Sequence, residues 1–453
     1  MPKSITLKKG FDIKLAGKAK LQLADVHQPE TFAVKPSSFH GIKRPKALVQ
    51  EGDSVKAGTP LMIDKKLPDI KYVAPVSGEV VEIRRGEKRA IQEIVILADK
   101  KIEHLEFNKC SISEIVNLTR EQTTEQMMNG GVWPAIVQRP FGCIASPEEL
   151  PKSIFISGFD SHPLAPDYNF LFKGQDKYFQ AGIEVLKKYT TGLIHLNING
   201  NTEIIQMFAH AKDVQVNTIK GPHPAGNVGV QIHHLDPINK GDIIWTINPF
   251  GVVQIGKLFL EGIHDAKKKV ALAGPAVVAP QYYETYTGAS IKYFIKDNIN
   301  TDNPRFISGN VLTGTRIEED GHIGFFDQLI TVIEEGDKYR AFGWVLPTSR
   351  PSFHRALGLL SFLLPNKEFK IDSNMNGEPR AFVQTGVFER VTPMDILPTY
   401  LIKAILAEDF DDIEALGIYE VIEEDVALCE FVDVSKHEIQ SIVREGLDLI
   451  HYS

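Results

Sequence analysis

The chain has 453 residues, 43% hydrophobic, 24% charged and 9% aromatic, an ordinary globular composition with length for about three or four domains. A net charge of −8 argues against nucleic acid, whose binders cluster positive charge. The three cysteines, Cys110, Cys143 and Cys429, are too few and too dispersed for a disulfide framework and fit a reducing compartment.

The opening MPKSITLKKG lacks the apolar core of a secretory signal. The strongest apolar stretch, LGLLSFLLP at 357–365, falls far short of the roughly 20 residues that span a bilayer. The expectation is a cytoplasmic chain whose membrane role, if it has one, is peripheral.

Residues 1–100 read as short alternating strands, ALVQEGDSVKAGTPLMID, KYVAPVSGEVVEI and AIQEIVIL, with turn chemistry at Gly52-Asp53, Gly58 and Ser77-Gly78. That predicts a small sandwich or barrel. The two hairpins resemble the biotinyl/lipoyl carrier fold. Lys65 and Lys66 lie where a carrier's modified lysine would sit, but DKKLPD does not match a modification hairpin, so the fold reads as a reused scaffold. RRGEKR at 84–89 reads as a hairpin tip, either a solvated turn or a basic docking patch.

After Lys101 the pattern changes. A helix is predicted over 111–128, ending at Gly130-Gly131. Apolar strands at 153–159, 193–198 and 214–221 alternate with helices at 178–192 and after Asn201 or Thr202, where EIIQMFAHAKD follows. A strand at 242–251 and a helix from Val252 complete the run. Continuous apolar strands alternating with helices predict a parallel sheet covered on both faces over 101–262. From 263 to 335 short strands return, at KKVALAGPAVV, IKYFI, RFISGNVL and QLITVIEE, as a second small β-rich module. Residues 336–453 become largely helical, with clear helices at 396–409 and 437–451. In the latter, Ile439, Ile442, Val443, Leu447 and Ile450 share one face.

Three stretches carry candidate chemistry. GPHPAGNVGVQIHHLDP at 221–237 follows a predicted strand, on the edge where open α/β sheets place ligands. Its His223, His233, His234 and Asp236 suggest a ligand or partner loop, and a metal site as an alternative. Against metal, adjacent His233 and His234 would point to opposite faces of an extended segment, and the spacing matches no zinc signature. DSHPLAPD at 160–167 offers Asp160 and His162 as a hydrogen-bonded pair or a turn cap. VWPAIVQRPFG at 132–142 places Trp133, Arg139 and Phe141 beside two prolines. An aromatic-lined pocket with one cation would suit a quinone, and simple packing is the other reading.

The absences are equally informative. The chain has no G-x-G-x-x-G after a strand, no P-loop, no C-x-x-C, no G-x-S-x-G and no H-E-x-x-H. It carries no self-contained catalytic signature.

Several ordered stretches together resemble the NqrA subunit of the Na+-translocating NADH:quinone reductases. They are ITLKKGFDIKLAG at 5–17, PVSGEVVEIRRGEKRAIQ at 75–92, GPHPAGNVGVQIHHLDP at 221–237, IGKLFLEG at 255–262, VFERVTPMDILPTYLIKAIL at 387–406 and EEDVALCEF at 423–431. The resemblance implies a barrel-sandwich hybrid (1–100), a Rossmann-like α/β domain (101–262), a β-grasp, SLBB-like domain (263–335) and a largely helical C-terminal domain (336–453). That layout also resembles the flavin-binding subunit of complex I and the corresponding subunit of the Rnf-type complex. Here, in place of a glycine-rich flavin loop, there is only MNGGVWPAIVQRP, and the cysteines reduce to Cys429.

The resemblance further implies a peripheral subunit on the cytoplasmic face of the membrane, partnered by the other subunits of the sodium pump. No cofactor is expected to be tightly bound in this chain; NADH and flavins are used through other subunits, and quinone is a candidate substrate. It carries a quinone role onto Arg139, Pro140 and Phe141, with Gly142 and Cys143 standing where the family pattern has serine and lysine. Phe32, Gly41, Arg44 and Pro45 form a second candidate region. On this reading Arg139→Ala or Phe141→Ala disturbs quinone reduction more than stability. The alternatives are a stand-alone metal-dependent enzyme and a soluble small-ligand-binding protein.

Overall fold

Alternating side chains on Thr31–Val34, Ser54–Val55, Gly78–Arg85 and Ile91–Ala98 close a four-stranded antiparallel sheet, and Pro45–Ala47, Pro60–Asp64 and Leu67–Val73 close a three-stranded one. The computed structural model describes residues 2–25, 29–336, 367–382 and 386–452. Leu61, Met62, Ile70, Val80, Ile94 and Ile96 fill the space between the two sheets. Lys65 and Lys66 sit at the turn of the Pro60–Leu67 hairpin, and RRGEKR forms the tip of the Gly78–Ala98 hairpin.

The predicted helix over 111–128 is two, Ile112–Asn117 and Arg120–Asn129. Each begins with a capping box, Ser111 with Glu114 and Thr119 with Gln122, and the second box interrupts what periodicity alone would have continued. Beyond them lies a seven-stranded sheet. Ser4–Thr6, Gln215–Lys220, Ile194–Asn199, Ser153–Ser157 and Ile244–Ile247 run parallel in that spatial order. Ile136–Arg139 and Cys143–Ile144 then add an antiparallel margin. The chain therefore moves outward from Ser153–Ser157 on one side and returns to lie on its other side, which leaves the loops at 158–167, 200–205 and 221–227 on one carboxyl edge. The helices Asp176–Leu186 and Pro249–Glu261 pack together over the sheet; Gly182 and Gly256 bring their backbones so close that a Cβ there would strike Val252 and Tyr178. The helix predicted after Asn201 shrinks to Gln206–Ala209, because 201–205 stays irregular and Ile205 is the N-cap.

A six-stranded sheet follows in the order Thr315–Ile317, Pro304–Ser308, Leu329–Glu334, Lys267–Ala273, Gln281–Tyr286 and Lys20–Leu23. IKYFI, expected as a strand, is the short helix Lys292–Ile295 with Phe294 and Ile295 buried; a short apolar run does not distinguish the two. The N-terminal segment thus contributes one strand to each large sheet. Phe388–Val391, Pro398–Leu406, Phe410–Ala415, Glu423–Val432 and Ile439–Tyr452 form the helical unit. Ile439, Val443 and Leu447 are fully buried, as their spacing predicts, in a core shared with Leu7, Ile13, Ile219 and Val230 of the α/β unit. LGLLSFLLP lies outside the described residues. Among the described residues no helix is long and apolar enough to cross a membrane.

Candidate functional site

Arg139 ends the strand Ile136–Arg139, and its side chain is 1% exposed. A buried cation needs an anion. Helix Glu423–Val432 supplies two from its first turn: Arg139 donates to Asp425 Oδ2 at 3.1 and 3.2 Å and to Glu424 Oε1 at 3.2 Å. Burial, then Asp425, pushes the Glu424 carboxyl up to about 7, and burial also raises Asp425. The Asp425 carboxylate rests against Gly229, where a Cβ would lie 2.2 Å from Oδ2. Gly229 stands in the first turn of Val228–Leu235, whose N-cap Asn227 donates to Glu424 O at 2.8 Å.

The segment 221–237 is therefore a loop followed by a helix, not the extended loop the sequence suggested, and this disperses its histidines. His223 lies in the loop. Its N–H donates to Asp12 Oδ1 at 2.8 Å, and its Nδ1 is 2.9 Å from Ser161 Oγ, which accepts from Gly226 N–H. His233 donates through Nδ1 to Glu420 at 2.6 Å and accepts from Asp395 N–H at 2.9 Å. His234 donates to Pro393 O at 2.8 Å, and Asp236 pairs with Ser153 Oγ and Lys152. The four side chains do not converge, and no group of three metal-ligating residues occurs among the described residues. The metal alternative has no site at these residues.

Asp160 and His162 form both arrangements the sequence allowed: Asp160 Oδ1 accepts from His162 Nδ1–H at 2.6 Å and from its backbone N–H at 2.8 Å. Burial opposes protonation of His162, but Asp160 overcomes it and raises the imidazole. The His162 and His223 rings are 4.6 Å apart, and burial drives His223 down to about 3, so it is neutral. Asp160 also lines a crevice of ≈ 200 Å³ on the carboxyl edge with Lys18, Tyr168, Asn199 and Phe208.

Trp133 does not share a pocket with Arg139 and Phe141. It is buried in the core edge-on to Tyr189 and Trp245, its indole N–H donating to Ala145 O at 2.8 Å. Phe141 instead meets His451 at 4.1 Å between ring centroids, and its carbonyl accepts from Arg444, which is also held by Glu423 and donates to His40. Gly142 has φ 68°, and Gly41 has φ 93° with room for no more than hydrogen against Cys143. The turn 140–143 and the loop around Gly41 are thus brought together beneath helix Ile439–Tyr452. Phe32 is buried elsewhere, edge-on to Tyr286, while Arg44 and Pro45 border Asp64. The peptide bonds Arg139–Pro140 and His223–Pro224 are both cis.

Glu424 and Asp425 escaped the sequence reading. The signal was available: three consecutive acids open the apolar EEDVALCEF helix, a placement the helix dipole favours. Nothing local pointed from them to Arg139, 286 positions away from Asp425.

The architecture defines a class: a multidomain α/β protein with a small two-sheet N-terminal unit, a largely parallel seven-stranded sheet and a helical unit packed on it. Family models match the NqrA N-terminal barrel-sandwich hybrid domain over 5–99, the NqrA second alpha/beta domain over 118–264 and the NQRA C-terminal domain over 269–319. The chain is 38% identical over 98% of its length, and 99% of the relative's, to the NqrA subunit of the Na(+)-translocating NADH-quinone reductase of Serratia proteamaculans. It is 35% identical, with the same coverage, to that subunit of Alcanivorax borkumensis. A solved NAD+-reducing [NiFe]-hydrogenase is similar at TM-score 0.39 and 11% identity, covering 78% of this chain and 67% of that one. The chain belongs to the NqrA family, whose members are subunits of the Na(+)-translocating NADH-quinone reductase.

Proposed function

We propose that this chain works as the NqrA subunit of a Na+-translocating NADH:quinone oxidoreductase, seated peripherally on the cytoplasmic side of a membrane-embedded complex. The observation that carries the reading is the match to curated subunits across 98% of the chain and 99% of theirs. On this reading the seven-stranded sheet is Rossmann-like in its strand order and the six-stranded unit is a β-grasp domain. Neither binds a flavin or an iron–sulfur cluster; NADH and flavins are handled by other subunits.

The chain's own work is to organise the quinone site. Arg139 acts from beneath, holding the helical unit against the sheet through Asp425 and Glu424. Phe141 and Gly142, with Gly41 beside them, form the surface nearest to quinone. His223, at the carboxyl edge, shapes the loop that meets a partner or ligand, while His233 and Asp236 brace it from the helix side. Affinity purification of the chain from gently solubilised membranes tests the assignment. Stoichiometric co-purification of integral flavin-containing redox subunits is expected, and emergence of the chain alone from the soluble fraction would overturn it. In the assembled complex Phe141→Ala is expected to raise the quinone KM; unchanged quinone kinetics would remove Phe141 from the site.

A further inference from the structure

Five buried side-chain polar atoms have no hydrogen-bond partner among the described residues, Arg139 Nε, His162 Nε2, His223 Nε2, Asn227 Oδ1 and Asp425 Oδ1, and contacts tie their residues together: His162 to His223, Arg139 to Asp425, and Asn227 to the Glu424 carbonyl. They arrive from four separate stretches, namely the end of strand Ile136–Arg139, the loop at 160–162, the segment 223–227 and the first turn of Glu423–Val432. As donors and acceptors they are complementary. Arg139 Nε–H donates, while Asn227 Oδ1 and Asp425 Oδ1 accept. The Ser161 bond to His223 Nδ1 leaves Nε2 as the unpaired ring nitrogen of His223, and His162, donating to Asp160 through Nδ1, presents Nε2. Buried polar groups are not left unpaired in folded proteins; ordered water, with two to four hydrogen bonds per molecule, is the usual partner where protein atoms do not reach.

The charges point the same way. The cluster holds three carboxylates, with Glu424 and Asp425 on Arg139 and Asp160 on His162. Glu423, on the same helix, is satisfied by Arg444, and His223 is uncharged. Asp160 favours a proton on His162, and burial favours one on the Glu424–Asp425 pair, so protons offset the excess negative charge. Glu424 is the member that can exchange with solvent, since its side chain is 31% exposed whereas that of Asp425 is 0%.

We propose that this cluster is a hydrated proton-binding site in which buried water, seated on the unpaired atoms, links His162 to Glu424 and Asp425 and lets the site take up one proton from solvent. The proton adds to a Glu424 carboxylate oxygen, and no other bond changes. The site belongs to the free chain and stands apart from the pump assignment.

Infrared difference spectra of the full chain between about pH 5 and about pH 9, in H2O and D2O, test it. A protonated-carboxyl C=O band that is lost as the pH rises through about 7 is expected, and Glu424→Gln should abolish it. His162→Gln removes a positive neighbour and should move the midpoint upward by about one pH unit. A wild-type chain with no carboxyl band titrating near neutrality, or the same band persisting in Glu424→Gln, would overturn the site. An unchanged midpoint in folded His162→Gln would overturn the coupling with His162.

Discussion

Replacing Arg139 by alanine strands the Asp425 carboxylate, whose side chain is 0% exposed, and takes away the cation that Glu424 shares. Breaking a buried pair from one side costs ~3–5 kcal/mol, because the remaining charge is left uncompensated. Protonation of the stranded carboxylate limits that cost, so it is largest at alkaline pH and shrinks as the pH falls. For a cooperative unit of about 150–250 residues each kcal/mol is worth ~2–4 °C, which gives a fall in Tm of ~6 °C or more at about pH 8 and clearly less at about pH 5. Thermal unfolding of the free chain at the two pH values is the assay. Limited proteolysis should release fragments from the helical unit first. A Tm within ~1 °C of the unmodified chain at both pH values would refute the reasoning. For Arg139 the buried ion pair predicts a stability loss beside the disturbance of quinone reduction expected from sequence.

Three other outcomes follow from the same geometry. Gly229→Ala should destabilise by ~2 kcal/mol or more despite the ~1 kcal/mol that alanine contributes inside a helix, because its Cβ displaces the Asp425 carboxylate; a Tm rise would contradict this. For Glu93, burial would raise the carboxyl, but the hydrogen bond and charge of His322, then Lys35 and Arg84, outweigh it and hold the group at about 2. A depressed acid stabilises fully above its ordinary value near 4.5 and loses that contribution as the pH falls through about 2. Glu93→Gln should therefore flatten the acid limb of a stability–pH curve, and a parallel curve would count against it. Cys429 is fully buried with its thiol pushed up to about 12, so a thiol reagent near neutral pH should leave it unmodified until the chain unfolds, while partly exposed Cys110 reacts in the folded state. Mass mapping of the labelled peptides decides it.

Periodicity and turn chemistry were enough to set out the alternating strands of residues 31–98, the parallel strands with their covering helices and the buried stripe Ile439–Val443–Leu447, because these depend on which side chains a strand or helix presents at each step. Local signals ran out where two structures share a pattern. IKYFI is a helix, the 111–128 stretch is broken by a second capping box, and His233 and His234 end a helix where an extended loop was expected. The family was legible in ordered motifs from Ile5 to Phe431.

Most local elements, the family and the make-up of each loop could thus be read along the chain. Packing alone settled that Arg139 belongs with Glu424 and Asp425, that His162 lies beside His223, and that Trp133 is core. The reason is physical: a charge or a buried ring is satisfied by whatever the packed chain brings within a few ångströms. For Arg139 that partner comes from the far end of the chain, where no spacing rule reaches.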